Sequence, residues 1–277
     1  MHSAWSDADA AAAITRYTTA YPGTCNEDVA LRVYTSQLLG RSAGLVLHGG
    51  GNTSVKTTLP DDLGEATAVA CIKGSGWDLA NIEPPGLPAV RLAPLLALRR
   101  LPSLSDEAMV TALRARLLDP AAPNPSVEAL LHAFLPHKYI DHSHADAVLA
   151  VADQPRALEL CAEVFGDDYV AVPYVMPGFT LALRAAEAYE QAPECHGLVL
   201  LGHGLFSFGA SARESYERHI AAVTRAEEFL ARGRKSFVAG ASADEAAFLR
   251  LAPVLRGRLK SARVLHWRPV PEALSFA

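Results

Sequence analysis

The chain has 277 residues, half of them apolar and one fifth charged, with a formal net charge of −5. This is a globular balance with ample apolar material for a core, and a net negative chain without a basic face argues against nucleic acid as a partner. Every apolar window is interrupted by His, Gly or Pro before it reaches a membrane span, and no secretory leader opens the chain, so a cytoplasmic location with no membrane partner is expected.

Taken in chain order, apolar periodicity predicts helices over 7–20 and 26–40, the second opening behind Asn26 as an N-cap. Gly44 to His48 reads as a strand running into three glycines. Strands follow at Thr53 to Thr57 and Ala66 to Lys73, with Pro60–Gly64 as the turn between them. Pro84, Pro85 and Pro88 mark a loop before helices at 92–100 and 105–118. Asn124-Pro125 opens another helix, Pro being suited to its first turn.

In the second half, Asp146 to Ala152 reads as a strand, 155–165 as a helix, Tyr169 to Val175 as a strand and 178–192 as a helix. Gly197 to Phe208 reads as a strand pair broken at Gly202–Gly204. Helices over 211–233, behind Ser211, and over 242–256 complete the pattern. No fixed-period repeat and no long linker interrupts it. The expectation is a single α/β domain with helices over a central sheet, its core at about 25–235 and a C-terminal helical extension at 236–277. Cys25, Cys71, Cys161 and Cys195 form no CxxC pair and read as reduced thiols.

Three histidines stand in chemically suggestive places. In Asp141-His142-Ser143-His144, a strand would put both imidazoles on one face, about 7 Å apart at Cα, close enough to converge on one ion. Taken alone, HxH reads more readily as a polar strand end. His203, in Leu200-Leu201-Gly202-His203-Gly204, ends an apolar strand between glycines that permit close approach. It reads equally as a core histidine bonded to a carbonyl or as a metal ligand. Three imidazoles with one position left open would make a catalytic site. Glu128, in the first turn expected behind Pro125, is either a favourable charge at a helix start or a carboxylate facing the ion.

Two glycine-rich turns precede these residues. His48-Gly49-Gly50-Gly51-Asn52-Thr53-Ser54 and Lys73-Gly74-Ser75-Gly76 each follow a predicted strand and offer backbone and side-chain donors to an anion. Either alone could be a tight turn with no ligand. Neither matches a dinucleotide or P-loop fingerprint, and no GxSxG elbow accompanies the esterase-like HGGG.

Together the segments Gly51-Asn52-Thr53-Ser54, Lys73-Gly74-Ser75-Gly76, Pro125-Ser126-Val127-Glu128, His142-Ser143-His144 and Gly202-His203-Gly204 resemble the class II aldolase/adducin family over about residues 45–230. The GGGNTS and KGSGWDLA wording is similar to the aldolase part of two-part aldolase/short-chain-dehydrogenase proteins of the rhamnulose-1-phosphate aldolase type. No Rossmann fingerprint occurs, so no dehydrogenase half is expected here. The resemblance implies a three-layer α/β/α fold with a largely antiparallel central sheet, one divalent ion of the zinc type per chain, and a homotetramer. By matching position, His142, His144 and His203 would hold the metal and Glu128 would be the catalytic acid/base. Gly51, Asn52, Ser54, Ser75, Gly76 and Ser126 would cradle a substrate phosphate.

The implied reaction is retro-aldol cleavage of a ketose 1-phosphate through a metal-stabilised enediolate. The alternatives are a sugar-phosphate epimerase or dehydratase on the same site, and a non-catalytic adducin-like interaction protein. Where sugar-phosphate aldolases carry PSSE this chain has Pro125-Ser126-Val127-Glu128, one hydroxyl fewer. Tyr174 matches a segment where some members place a proton-donating tyrosine, although it reads equally as packing. His132, four residues after Glu128, reads as a supporting hydrogen-bond partner. His48 is unassigned.

Overall fold

The computed structural model of the chain describes residues 1–232, 245–259 and 264–266. The chain divides into two compact units, Met1–Arg232 and Gly233–Ala277. Two helices open the first unit: α1 (Asp7–Ala20), capped by the Ser6 hydroxyl, and α2 (Glu27–Gly40), capped by Asn26 Oδ1 accepting from the Val29 N–H. Acidic residues in both first turns suit the positive end of the helix dipole. A hairpin follows, β1 (Asn52–Pro60) and β2 (Ala66–Ile72), turned by Asp61, whose carboxylate accepts from the Leu63 and Glu65 amides.

The unit continues through β3 (Ala89–Arg91), α3 (Leu92–Ala97), α4 (Asp106–Arg114), α5 (Ala129–Phe134), β4 (Tyr139–Ser143), α6 (Asp146–Ala152) and α7 (Ala157–Phe165). It ends with β5 (Tyr169–Val172), α8 (Phe179–Gln191), β6 (Gly197–Leu200), β7 (Gly204–Gly209) and α9 (Ala212–Arg232). The described part of the second unit contains α10 (Glu245–Arg258). The expected helix over 242–256 thus has its first three residues outside the described set, as has residue 233 of the expected 211–233.

The sheet order is β3-β2-β1-β4-β7-β6-β5, and only the β5–β6 pair is parallel. Side chains alternate between two cores, as the period of two requires. Tyr139, Val199 and Leu205 pack with α2, α6, α7 and α9 on one face, while Ile140, Leu198 and Phe206 pack with α3, α4, α5 and α8 on the other. Helices therefore cover both faces of a largely antiparallel sheet. The result is the expected α/β/α layering, and it buries the central strand β4 along its whole length.

Several elements differ from their sequence reading. Gly44 to His48 is not a strand: the Leu45 and Val46 amides both bond to the Ser42 carbonyl and Gly50 bonds to Leu47, a run of turns. Its apolar residues point in different directions, Leu45 and Val46 into the core and Leu47 61% exposed. Asp146 to Ala152 is a helix, because its buried positions 148, 151 and 152 follow helical spacing, which a short apolar run conceals. The helix expected to open at Pro125 begins at Ala129, with Glu128 as its N-cap residue. Residues 124–126 instead pair with the 73–75 turn, through Gly74 bridging Pro125, Ser75 N to Asn124 O, and Ser126 N to Lys73 O. The helices expected to reach 100 and 118 are shorter, α3 passing into a 3-10 turn over Leu98–Arg100 and α4 ending at Arg114.

Candidate metal centre

β4 pairs with β1 on one side and β7 on the other, setting His142 opposite Asn52 and opposite Phe206. His144 follows one residue beyond the end of the strand, and His203 lies in the tight β6–β7 turn, where its N–H bonds to the Leu200 carbonyl. One ring nitrogen from each of the three histidines lies within 4.8 Å of the others. Two glycines make this convergence possible. A Cβ on Gly204 would stand 2.4 Å from the Ser143 carbonyl and 3.1 Å from both the His142 and His144 rings. A Cβ on Gly51, at φ +65°, would stand 2.7 Å from the His142 carbonyl.

The tautomer of His142 follows from its partner. Its Nδ1–H donates to the Leu205 carbonyl at 3.0 Å, so Nε2 carries the lone pair and faces the other histidines. Phe206 stacks on the ring at 4.1 Å. Burial, partly opposed by Glu128, pushes the His142 imidazole down to about 3, and burial lowers His144 too, so both are neutral at ordinary pH.

Glu128 reaches into this group from the N-terminus of α5. Its Oε1 lies 2.9 Å from His203 Nε2, and its Oε2 lies 3.4 Å from His142 Nε2. Burial alone would raise the carboxyl, but His142, His203 and a bond from Asn52 outweigh it and hold Glu128 well below the usual carboxylate range. The site thus holds a buried, ionised carboxylate whose Oε1 faces His203 Nε2. Beside it, His142 Nε2 and His144 Nε2 stand 3.0 Å apart, and His203 Nδ1 is buried without a partner. Imidazole nitrogens converging beside a buried carboxylate are suited to a divalent cation. A three-histidine set fits zinc with a position left open.

A polar chain holds Glu128 from behind. Asn52 Nδ2 donates to Glu128 Oε2 at 2.6 Å and to Ser126 Oγ at 3.2 Å. The Asn52 Oδ1 must therefore face His132 Nε2–H, which leaves His132 Nδ1 to accept from the Ser54 hydroxyl at 2.8 Å. His132 is a supporting partner, as expected, but it supports Asn52 directly and Glu128 only through it. Its helix is held in turn by Lys56, whose ammonium donates to the His132, Leu135 and His137 carbonyls at the C-terminus of α5.

Of the residues singled out in the sequence, the structure brings together Asn52, Ser126, Glu128, His142, His144 and His203. Gly51 contributes close backbone approach. Ser54 is fully buried with its hydroxyl on His132 and presents no group to a ligand. Ser75 and Gly76 are exposed on the turn beside Ser126, Gly76 at φ +86°. Tyr174 is 58% exposed, its hydroxyl on Met176 Sδ at 3.7 Å, and its ring lies over Gly202, next to His203. His48 is exposed at φ +50°. Sequence reasoning missed Lys73, whose buried ammonium donates to the Gly49 carbonyl at 2.9 Å and ties the two glycine turns together. A lysine placed before a donor turn was the available signal. All four cysteines are buried and free. No helix among the described residues is long and apolar enough to cross a membrane.

Residues 31–230 match the model of the class II aldolase and adducin N-terminal domain. A curated relative from Bacillus subtilis, the uncharacterized oxidoreductase YuxG, is 36% identical over 198 residues. The match takes in 72% of this chain and only 29% of that protein. Among solved structures, the N-terminal class II aldolase domain of a conserved protein from Thermoplasma acidophilum is 42% identical with a TM-score of 0.70, covering 73% of this chain and 93% of that one. A sugar-phosphate aldolase from Thermotoga maritima shares the fold at 17% identity and TM-score 0.57, over 76% of this chain and 97% of that one. The order of the motifs, the layering and these matches agree: the chain belongs to the class II aldolase and adducin family.

Proposed function

We propose that this chain is a metal-dependent aldolase that cleaves a ketose 1-phosphate to dihydroxyacetone phosphate and an aldehyde. The observation that carries the reading is Glu128, ionised, buried and wedged between His142 and His203. In this reading His142, His144 and His203 hold one Zn2+. When bound, the ion acts as a Lewis acid toward the oxygens of the substrate. Glu128 handles the proton. The C3–C4 bond breaks, its electron pair stays on C3 in conjugation with the C2 carbonyl, and C4 becomes the aldehyde as its hydroxyl loses a proton. Glu128, ionised at rest, takes up the proton released from the C4 hydroxyl and delivers it to C3. Asn52 keeps the carboxylate aimed and, before the reaction, ionised.

Ser126 Oγ, the Ser75 hydroxyl and the backbone around Gly51 and Gly76 receive the phosphate; Asn52, expected among these donors, spends both amide hydrogens on Glu128 and Ser126 and so positions Ser126 instead. Val127, 55% exposed, stands where a second hydroxyl would add a donor, so phosphate is held by fewer groups than in a PSSE site. Tyr174, exposed beside the His203 turn, is the candidate for moving the hydroxyl proton at C4.

A panel of ketose 1-phosphates, followed for release of dihydroxyacetone phosphate by the zinc-loaded protein, tests the reading. Release that disappears on chelation and returns with zinc supports it. Interconversion of ketose phosphates without release would show an epimerase working with the same residues. Inertness toward the whole panel would remove the sugar-phosphate assignment.

A further inference from the structure

Behind β4, on the face away from Glu128, lies a second group of polar side chains, all fully buried. Arg32 of α2 donates to Asp141 and, at 2.6 Å, to the Thr35 hydroxyl, while Ser215 of α9 donates to the other oxygen of Asp141. Two residues further along β4, the Ser143 hydroxyl meets His219 Nε2 at 2.6 Å, and the other nitrogen of that ring, Nδ1, meets the Ser207 hydroxyl of β7 at 2.8 Å. One imidazole on α9 thus ties two neighbouring strands together.

The proton positions in this chain can be deduced. Ser207 Oγ donates its single proton to the Ser215 carbonyl at 3.0 Å, so toward His219 it can only accept. His219 Nδ1 therefore carries the hydrogen, Nε2 is bare, and the Ser143 hydroxyl donates to it. Burial holds the ring neutral, pushing it down to about 4, and a neutral ring with one donor and one acceptor is what the two serines require.

This register is the one that forms the front of the site. β4 and β7 align Ser143 with Leu205 and His142 with Phe206. The same alignment supplies the Leu205 carbonyl that sets the His142 tautomer and the Phe206 ring that stacks on it. A slip or a splay between the strands would turn Nε2 of His142 away from His144 and His203 without touching any of the three.

We propose that His219 is a positioning residue for the metal site: by bridging Ser143 and Ser207 from behind, it fixes the β4–β7 register that aims His142 and His144 at the ion. The inference rests on the metal-site reading given above. It is tested by zinc affinity of the full chain, measured in competition with a chelator at a temperature where every variant is folded. His219→Leu leaves both hydroxyls buried and unbridged, and should weaken zinc binding ten- to a hundred-fold. His219→Gln, whose amide both donates and accepts, should recover most of that loss. Ser207→Ala, a smaller change, should fall between them and carries the test if His219→Leu does not fold. Leu113→Ala, in the core on the opposite face, controls for lost stability and should bind zinc as the unaltered chain does.

Unchanged affinity in Ser207→Ala and a folded His219→Leu overturns the role, as does a His219→Gln variant no tighter than His219→Leu. So does an equal weakening in Leu113→Ala. An unaltered chain that takes up no ion overturns the metal reading and the inference with it, a result distinct from all the others.

Discussion

Glu128 gathers most of the chemistry of the site, and its surroundings state what its removal should do. Its carboxylate touches His142, His203 and Asn52 but belongs to no backbone network, so Glu128→Gln preserves shape and hydrogen bonding to Asn52 while removing the acid/base that the proposed reaction needs. Turnover should fall by about 10²–10⁴, the usual contribution of a positioned acid/base, while zinc content stays near one per chain. Metal analysis alongside single-turnover rates checks both halves; near-normal rates would take Glu128 out of the mechanism. Gly204 makes the complementary case, since its role is spatial. A Cβ there meets the Ser143 carbonyl, a backbone atom with no freedom to retreat. Gly204→Ala should lower stability by roughly 1–3 kcal/mol and weaken zinc binding together, read from the unfolding midpoint and chelator competition. At this scale much was legible, because His142, His144, His203 and Glu128 carry their chemistry in their own side chains. The partner of His132 was not. Four-residue spacing on a helix pointed to Glu128, but α5 begins only after Glu128, and the imidazole finds Asn52 on a strand 80 residues away.

Elements were legible where caps and periodicity agreed and illegible where a short apolar run stood alone. α2 behind Asn26 is an example of the first; Asp146 to Ala152 and Gly44 to His48, both read as strands, are examples of the second. In neither misread segment does the number of apolar residues decide the structure. β1 already has β2 and β4 as neighbours, so a strand at 44–48 would have no edge of β1 to join. α5 shows how an element of only six residues is kept in place. Lys56, from β1, donates to the His132 carbonyl in its last turn and to the Leu135 and His137 carbonyls just past its end, tying down a terminus whose carbonyls a helix leaves unpaired. Lys56→Met should therefore destabilise the protein by about 2–4 kcal/mol, the lost carbonyl bonds outweighing the relief of burying a charge. Zinc affinity should be unchanged, since α5 contains none of the three histidines. A denaturant melt paired with zinc titration separates the two effects, and a parallel fall in affinity would show that α5 shapes the metal site itself.

At the scale of the whole molecule, motif order could be read from the chain but strand order could not. β4 meets Asn52 on one side and Phe206 on the other, pairings 90 and 64 residues apart that no local pattern encodes. What the two-faced burial of β4 creates is a core unusually rich in neutral imidazoles, and this sets the response to acid. Burial pushes His132 down to about 3, and His137 and His219 down to about 4. The unfolded chain takes up these protons near 6.5, the folded chain only well below, so the unfolded state binds more protons as pH falls. Stability from these groups is therefore complete above about pH 6.5 and is withdrawn as pH falls from there toward about 3, the lowest of the folded values. Bound zinc adds about 2.7 kcal/mol at a hundred times its dissociation constant, and it too requires deprotonated imidazoles. Chelation should thus lower the unfolding midpoint at pH 7.5, and the gap between zinc-loaded and chelated protein should persist at pH 5, where burial still keeps His142 deprotonated, while both midpoints fall. Thermal melts across that range, with and without chelator, check the coupling. A midpoint at pH 7.5 that chelation leaves unmoved would mean that the folded chain holds no ion at these histidines.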